Sequence, residues 1–421
     1  MPHEYDILII GAGPAGLMAA ITAAETAPKA RIAILEKNAS AGKKLLISGS
    51  GRCNVTHAGT MADFLPCYGD HAQFIKPALL EFTNLDMLRF LASHHLHCVE
   101  LDGGKIFPKS QKSGDVLRAL LSAVEAAGVQ VQYQQPVSTI RCEEPSPSPS
   151  VEATPSFEVR TPSDVFRARR VILSTGGKTF PATGSNGDGF TLAQQLGHSI
   201  ATPKPALAPV YVRNFTLADC AGISVPNAVF QQWRNGRKLR TLRGDVLLTH
   251  FGLSGPGILN GSRWFQSGDE LRLELGNPDA ILEQFPQNAK KELKNQLADS
   301  LGLAVRFVEL LLEQAGIDSQ KRVCDVTRAE RLLLRNRVLQ PAFTIARLGG
   351  DSEAKATAGG VSLDEVNRKT MQSRLVPGLF FCGEVLDIDG DTGGYNLQFA
   401  WSSGHMAGKN AAQRLEQTEL P

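Results

Sequence analysis

The order of apolar and polar positions predicts that the chain opens with an α/β fold. Residues 5–10 form a continuous apolar run, which is typical of a buried parallel strand. A helical stretch of small residues follows and ends at Pro28, and a second strand covers residues 30–36. Strand, helix and strand in this order predict a βαβ unit with parallel strands.

The middle of the chain changes its period several times. Residues 60–128 have a helical pattern with turns, and a β-meander follows. The meander contains a Pro/Ser-rich connector at 144–156, whose composition predicts a mobile hairpin tip. Strand-like segments then appear at 208–212, 226–233, 238–250 and 269–276.

The length of 421 residues predicts two or three domains, and these changes of pattern indicate where they divide. An α/β domain is assembled from residues 1–200 and 356–421. A β-rich domain covers 201–277 and receives a return strand from 341–355, and amphipathic helices over 278–340 form a small helical domain.

A glycine-rich loop, GAGPAG, joins the first strand to the first helix. Gly11 permits the tight turn, Gly13 lets the backbone approach a pyrophosphate, and Gly16 lets helix and strand pack closely. Glu36, at the end of the second strand, is placed to accept the hydroxyls of an adenosine ribose. Together they predict a bound dinucleotide; a ligand-free turn is the alternative, but it would need no acid at Glu36.

Two further loops also indicate a bound dinucleotide. The stretch GKKLLISGSGRCNVTH (42–57) is rich in glycine and contains Lys44 and Arg52, which could balance pyrophosphate charge; an ordinary basic surface loop is the alternative. The stretch 378–408 predicts a short strand, a Gly-rich turn and a helix from Asn396 with small residues on one face. A helix N-terminus after such a turn favours an electron-rich ligand.

Composition limits the function classes. The chain has 421 residues, with 44 Lys and Arg against 42 Asp and Glu, so its net charge of +2 predicts neither nucleic acid nor an anionic membrane as partner. The start of the chain has no signal-peptide pattern, and the seven scattered cysteines predict reduced thiols in a cytoplasmic protein. The cluster His94, His95, His97 and Cys98 fits no common metal spacing, so we predict no metal site.

The chain resembles the HI0933-like or YhiN-like family of bacterial NAD(P)/FAD-dependent oxidoreductases, which includes BaiN-like members. The resemblance runs from end to end and rests on GAGPAGLMAA, SGSGRCNVTH, LSTGGKTFPATGSNGDGF, THFGLSGP, AGGVSL and TMQSRLVPGLFFCGEVLDIDGDTGGYNLQFAWSSG. Ser50 and His57 depart from the family, in which Gly and Asn are more usual at these positions.

The resemblance implies a Rossmann-type FAD-binding domain made of both chain ends, an inserted β-barrel-like domain and a small helical domain. It also implies non-covalent FAD, with the helix from Asn396 directed at the flavin pyrimidine. The residues expected to bind FAD are Gly11, Gly13, Pro14, Ala15, Gly16, Glu36, Lys37, Lys44, Ser48, Gly51, Arg52, Cys53, Asn54, Val137, Thr175, Gly176, Gly177, Gly383, Glu384, Asp391, Gly394, Tyr395, Asn396 and Leu397.

The implied reaction is hydride transfer through flavin N5 between NAD(P)H and a small carbonyl, enone or imine substrate. Arg52, Asn54 and His250 are the candidate catalytic residues, with His57 as a further substrate-side candidate. His250 could donate a proton, or it could only order its loop. A flavin oxidase that uses oxygen and a flavin-gated redox sensor are the alternatives, and the protein is expected to be a monomer or homodimer.

Overall fold

The computed structural model describes residues 3–143, 156–283, 285 and 290–416. The predicted hairpin tip therefore lies, over residues 144–155, outside the described residues. The chain forms two compact units: residues 206–354 make one, and the parts of the chain on either side of them make the other. The finer division into three domains stays a prediction.

The α/β unit contains most of the elements. Its first part has the strands β1 (His3–Ile10), β2 (Ile32–Leu35), β3 (Thr56–His57), β4 (Cys98–Leu101), β5 (Lys105–Pro108), β6 (Gln130–Gln132), β7 (Thr139–Glu143), β8 (Ser156–Arg160), β9 (Val165–Leu173) and β10 (Ile200–Ala206). Its helices there are α1 (Pro14–Thr26), α2 (Lys43–Ile47), α3 (Met61–Phe64), α4 (Ala72–Glu81), α5 (Asn84–Ser93), α6 (Ser113–Ala126) and α7 (Asp188–Gln195).

The inserted unit is a barrel with helices, after which the chain returns to the first unit. The inserted elements are β11 (Val210–Val212), β12 (Ser224–Arg234), β13 (Arg237–Leu248), β14 (Gly252–Ser254), α8 (Pro256–Gly261), β15 (Glu270–Glu274), α9 (Pro278–Glu283), α10 (Leu293–Leu301), α11 (Val305–Gln314), α12 (Arg328–Leu333) and β16 (Ala342–Leu348). The returning elements are β17 (Ala356–Val361), β18 (Leu379–Phe381) and α13 (Tyr395–Glu416).

The central sheet of the α/β unit joins both chain ends. Its strands follow the order β6-β2-β1-β9-β8-β7, and β18 pairs in parallel with β9. Ile10 is in register with Leu35 and Leu173, and Leu173 with Phe381. Because all four strands run parallel, the residues that follow them meet at one edge of the sheet. The predicted Rossmann-type fold is confirmed.

Small residues allow α1 and α13 to pack in very close contact. A Cβ added to Gly404 would lie 2.3 Å from the carbonyl oxygen of Ala15, and one added to Gly408 would lie 2.2 Å from that of Ala19. The small-residue face predicted for the C-terminal helix is thus its packing face against α1. This contact ties the last helix to the first glycine-rich loop.

Two strands were missed in one stretch of the chain. The helical pattern assigned to residues 60–128 contains two strands, β4 and β5, which form a small antiparallel sheet with β3. Gly103 and Gly104 turn the chain between them with φ of +73° and +74°. Strands this short carry too few residues for their period to stand out between helices.

The inserted unit is built around a closed barrel with the strand order β11-β14-β13-β12-β15-β16. Phe230 and Leu273 of the barrel belong to the same continuous buried cluster as Leu297 and Phe307 of the helices. The predicted β-barrel-like insertion is confirmed, and within this unit the helices and the barrel share one hydrophobic core.

Candidate active site

The N-terminus of α1 opens onto free space at the edge of the central sheet. Gly11 has φ +106°, and a Cβ there would lie 2.8 Å from the carbonyl oxygen of Ser174. A Cβ at Gly16 would lie 2.0 Å from the oxygen of Gly11, so helix and strand require both glycines. A Cβ at Gly13 would meet no atom within 4 Å, and no side chain caps the helix there. The helix end can therefore receive an anionic group.

Glu36 follows β2 at the same edge and is buried. Its carboxylate accepts the backbone N–H of Ala12 at 2.9 Å and that of Asn38 at 2.8 Å, and the Asn38 side chain donates at 2.7 Å. A carboxylate has about four acceptor positions, so it retains capacity for a further donor such as a ribose hydroxyl. The neighbouring Lys37 is engaged by Asp188 at 2.6 Å.

The segment after β9 contributes an unsatisfied hydroxyl. Ser174 donates its hydroxyl to the carbonyl oxygens of Ile10 and Gly11, which fixes this segment to the first loop. The Oγ1 of Thr175 is buried without a hydrogen-bond partner in the described part of the chain. Leaving a buried hydroxyl unpaired costs about 1–3 kcal/mol, so this atom is a candidate ligand contact. Val137 is only partly buried and packs against the core of this unit.

The loop after α2 has an unusual backbone. Gly49, Ser50, Gly51 and Cys53 all have positive φ, which turns the chain back on itself. Cys53 is fully buried, and burial raises the pKa of its thiol to about 12. The thiol is therefore a packing group and not a nucleophile.

Two candidate catalytic residues lie on this loop. The Oδ1 of Asn54 is buried and has no hydrogen-bond partner among the described residues, as expected of a ligand contact. Arg52 is exposed, and its guanidinium lies 4.8 Å from the ring centroid of Phe107. This cation–π contact would hold the charge in place beside the loop. Ser48, by contrast, donates its hydroxyl to the Leu45 carbonyl.

Lys44 and Glu384 form an ion pair at 2.8 Å, although they are 340 positions apart. Lys44 also donates to the Thr179 hydroxyl at 2.8 Å, and Glu384 accepts the backbone N–H of Thr357 at 2.7 Å. Gly177 leaves room for this cluster, because a Cβ there would lie 2.3 Å from the Thr357 hydroxyl. Sequence reasoning missed both threonines, since no motif marks them.

The turn before α13 is crowded by protein. Gly383 has φ +74° and donates its N–H to the Ser403 hydroxyl at 2.9 Å. Gly394 has φ +103°, and a Cβ there would lie 2.6 Å from the carbonyl carbon and oxygen of Thr56. Asn396 closes the acidic turn by bonding both the N–H and the carbonyl of Gly390 at 2.8 Å.

The other residues around this turn that are predicted to bind FAD are in contact with protein in the structure. Tyr395 is nearly buried, and burial raises the pKa of its hydroxyl. Asp391 donates its backbone N–H to the Cys67 carbonyl, and Leu397 packs against the core. Whether any of them touches a cofactor stays a prediction.

The two histidine candidates differ. His57 stacks on Tyr395 with ring centroids 5.0 Å apart, and its two ring nitrogens lie 2.7 Å from the carbonyl oxygens of Ala58 and Gly103. Both nitrogens are occupied, which leaves none for a substrate. His250 is exposed on the inserted unit, in a turn held by the Thr249 hydroxyl, which accepts the N–H of Gly252 at 3.1 Å.

The structure thus brings the predicted residues that follow β1, β2, β9 and β18 to one edge of the α/β unit. The open end of α1, the carboxylate of Glu36 and the unsatisfied atoms of Thr175 and Asn54 could hold an extended dinucleotide. Gly176, with φ +75°, gives the chain its turn beside Thr175. His250 belongs to the other unit.

Comparison with known proteins identifies relatives over the whole chain. The family described as HI0933-like protein Rossmann domain matches residues 5–410. A 3-dehydro-bile acid delta(4,6)-reductase of Clostridium scindens is 31% identical, covering 96% of this chain and 98% of the relative. A ribosomal RNA dihydrouridine synthase of Escherichia coli is 30% identical, covering 95% and 96%. The prediction of no nucleic-acid partner finds no support here, because that relative is named for ribosomal RNA.

Solved structures share the fold at low identity. A quinol fumarate reductase FrdA subunit of Escherichia coli has a TM-score of 0.54 and 16% identity, covering 100% of this chain and 72% of that one. A 3-ketosteroid delta1-dehydrogenase of Sterolibacterium denitrificans has a TM-score of 0.51 and 13% identity, covering 98% and 100%. Across the described ranges, each helix is too short or too polar to cross a bilayer.

Proposed function

The chain belongs to the HI0933-like family of flavoprotein oxidoreductases, and on that premise we propose that it is an FAD-dependent reductase of carbon–carbon double bonds conjugated to a carbonyl. NAD(P)H supplies the electrons. The hydride goes to the carbon β to the carbonyl and a proton to the α carbon, giving NAD(P)⁺ and the saturated product.

One observation carries the cofactor part of the proposal. Four parallel strands end in register, and the open helix end at Gly13, the Glu36 carboxylate and the unpaired hydroxyl of Thr175 follow three of them. This set offers N–H groups to a pyrophosphate and acceptors to a ribose. FAD would be held there non-covalently and would supply hydride transfer at its flavin ring.

The roles of the residues follow from their environments. Gly13, Ala15 and Gly16 would bind the pyrophosphate through the start of α1, and the Lys44–Glu384 pair would lie along the cofactor. The Asn54 amide, which has an unpaired oxygen, would orient the flavin or the substrate. The guanidinium of Arg52, which lies over the ring of Phe107, would bind the oxygen of the substrate carbonyl through its positive charge. His250 remains a candidate proton donor.

The substrate class is supported by what two relatives are named for. A 3-dehydro-bile acid delta(4,6)-reductase acts on ring double bonds beside a 3-oxo group. A dihydrouridine synthase saturates the double bond of uracil, which is conjugated to a ring carbonyl. Both reactions are reductions of a double bond that a carbonyl polarises, and the enone is one of the three substrate classes, carbonyl, enone and imine, expected from the sequence.

Cellular location and assembly are further parts of the proposal. The cysteines of the described residues are reduced. Reduced thiols fit a reducing compartment, so a cytoplasmic protein is proposed. We also propose a monomer or homodimer that acts on a small molecule.

Anaerobic mixing tests the proposal. The FAD-loaded protein is reduced with NADH or NADPH and then mixed with 2-cyclohexenone, a 3-oxo-Δ4 steroid or free uridine. We expect reoxidation with formation of the saturated product, and a loss of at least about tenfold in Arg52→Gln. Arg89→Gln, an exposed residue paired with Asp86, is the matched control. Reoxidation by oxygen alone, with no product from any conjugated carbonyl, would instead identify an oxidase.

A further inference from the structure

The hairpin formed by β12 and β13 concentrates positive charge that the composition of the whole chain conceals. Five cations lie on it, and no acid occurs between residues 221 and 244; the cations are Arg234, Arg237, Lys238, Arg240 and Arg243. The overall charge of +2 averages this segment with acidic stretches elsewhere. A local surface, and not the average, determines which polyanion a protein attracts.

Three of these cations are exposed and available. Arg237, Lys238 and Arg243 are exposed, and within the described ranges none of them forms an ion pair. Arg234 differs, because its guanidinium is held by the buried Asp269 at 2.7 Å. The free cations therefore lie at the tip and along β13.

The acids nearest to the hairpin are already engaged. On the neighbouring strand β15, Glu270 pairs with Arg272 and Glu274 accepts from the side chain of Gln231. Asp245, at the far end of β13, accepts the backbone N–H of Asn227 at 2.8 Å. These carboxylates reduce the field of the hairpin without cancelling the three exposed charges.

Layers of arginine and tryptophan lie beside the free cations. The Arg272 guanidinium is 4.1 Å from the ring centroid of Trp233, whose indole N–H donates to Gln231 at 2.9 Å. Arg240 and Arg263 lie 4.5 and 5.4 Å from the ring centroid of Trp264. Planar guanidinium and indole groups are the surfaces on which unstacked nucleobases bind.

We propose that the β12–β13 hairpin is a binding surface for structured RNA. The exposed cations contact the phosphates, and the Arg–Trp layers beside them receive an unpaired base. Leu239 is the one large apolar side chain exposed on the described hairpin, which is too little to anchor a membrane. The surface lies wholly within the inserted unit and goes beyond the proposed reduction.

Fluorescence anisotropy tests the surface with a fluorescein-labelled stem–loop RNA carrying an unpaired uridine. The test variant combines Arg237→Gln, Lys238→Gln and Arg243→Gln. The control removes the same charge from exposed lysines of the other unit and combines Lys29→Gln, Lys109→Gln and Lys369→Gln. At 50 mM salt we expect the hairpin variant to bind at least about tenfold more weakly, with a salt slope smaller by about 2–3, and the control to stay within about twofold.

We expect the hairpin variant to keep its flavin content and its rate of 2-cyclohexenone reduction. These two measurements show that the variant is folded, and they keep this test separate from the proposed function. Equal loss of RNA binding in the control, or unchanged binding in the hairpin variant, overturns the proposal. Binding to vesicles containing phosphatidylserine with no binding to the RNA also overturns it.

Discussion

Replacing Gly404 by alanine tests how the two ends of the chain assemble the cofactor site. The added Cβ would lie 2.3 Å from the carbonyl oxygen of Ala15 and 3.1 Å from its carbonyl carbon. An ordinary carbon–oxygen contact is about 3.3–3.6 Å, so α1 and α13 must separate by about 1 Å. The atoms met are backbone, which cannot rotate away as a side chain can.

The magnitude follows from two opposing terms. Alanine is favoured over glycine in a helix interior by about 1 kcal/mol, whereas overpacking a close contact costs about 1–3 kcal/mol or more. Because Ala15 is in the first turn of α1, the separation also displaces the N–H groups that would bind pyrophosphate. Loss of one such charged hydrogen bond costs about 1.5–3 kcal/mol, so we expect FAD to bind about ten- to a hundredfold more weakly.

Titration of the apoprotein with FAD and thermal unfolding of the loaded protein measure the two effects. Gly114→Ala is the matched control, because Gly114 also lies in a helix but has no atom within 4 Å of its Cβ position. It should be neutral or slightly stabilising. If Gly404→Ala binds FAD and unfolds as the wild type does, the close contact between α1 and α13 is not what positions the site.

Three further outcomes are expected. Glu36→Ala should weaken FAD binding by about 1–3 kcal/mol and lower the melting temperature, because the N–H of Ala12 loses its acceptor; unchanged FAD affinity would remove the residue from the site. Gly394→Val should unfold or lose flavin through collision with Thr56, and full flavin content at wild-type stability would contradict this. At pH 8 a thiol of pKa about 12 is ionised in about one molecule in 10⁴, so Ellman's reagent should modify the exposed Cys324 and spare Cys53; rapid modification of Cys53 in the native protein would refute its burial.

The sequence predicts the α/β fold well because its signals are local. The apolar run of β1, the glycines at 11, 13 and 16 and the acid at 36 lie within one βαβ unit, where spacing alone fixes geometry. The small-residue face of α13 is also predicted from the sequence, although the helix that packs on it, α1, is almost 400 positions away in the chain.

Contacts between segments that are distant in the chain could not be predicted from the sequence. Gly394 was explained by the flavin, yet the structure crowds it with the backbone of Thr56. Ser402 of α13 is fully buried and donates its hydroxyl to the Phe82 carbonyl at 2.6 Å, 320 positions away in the chain. Both contacts depend on pairing that no local pattern records. The five cations of the β12–β13 hairpin are local in the sequence, but the average over the chain conceals them.

The identity of the cofactor released by heating the purified protein tests the central claim most directly. Chromatography with mass detection separates FAD from FMN. The open end of α1, with Glu36 placed for an adenosine ribose, predicts FAD in about equal amount to the chain. Release of FMN alone, or a colourless protein that takes up no FAD on incubation, would contradict the assignment of this edge of the sheet as a flavin site.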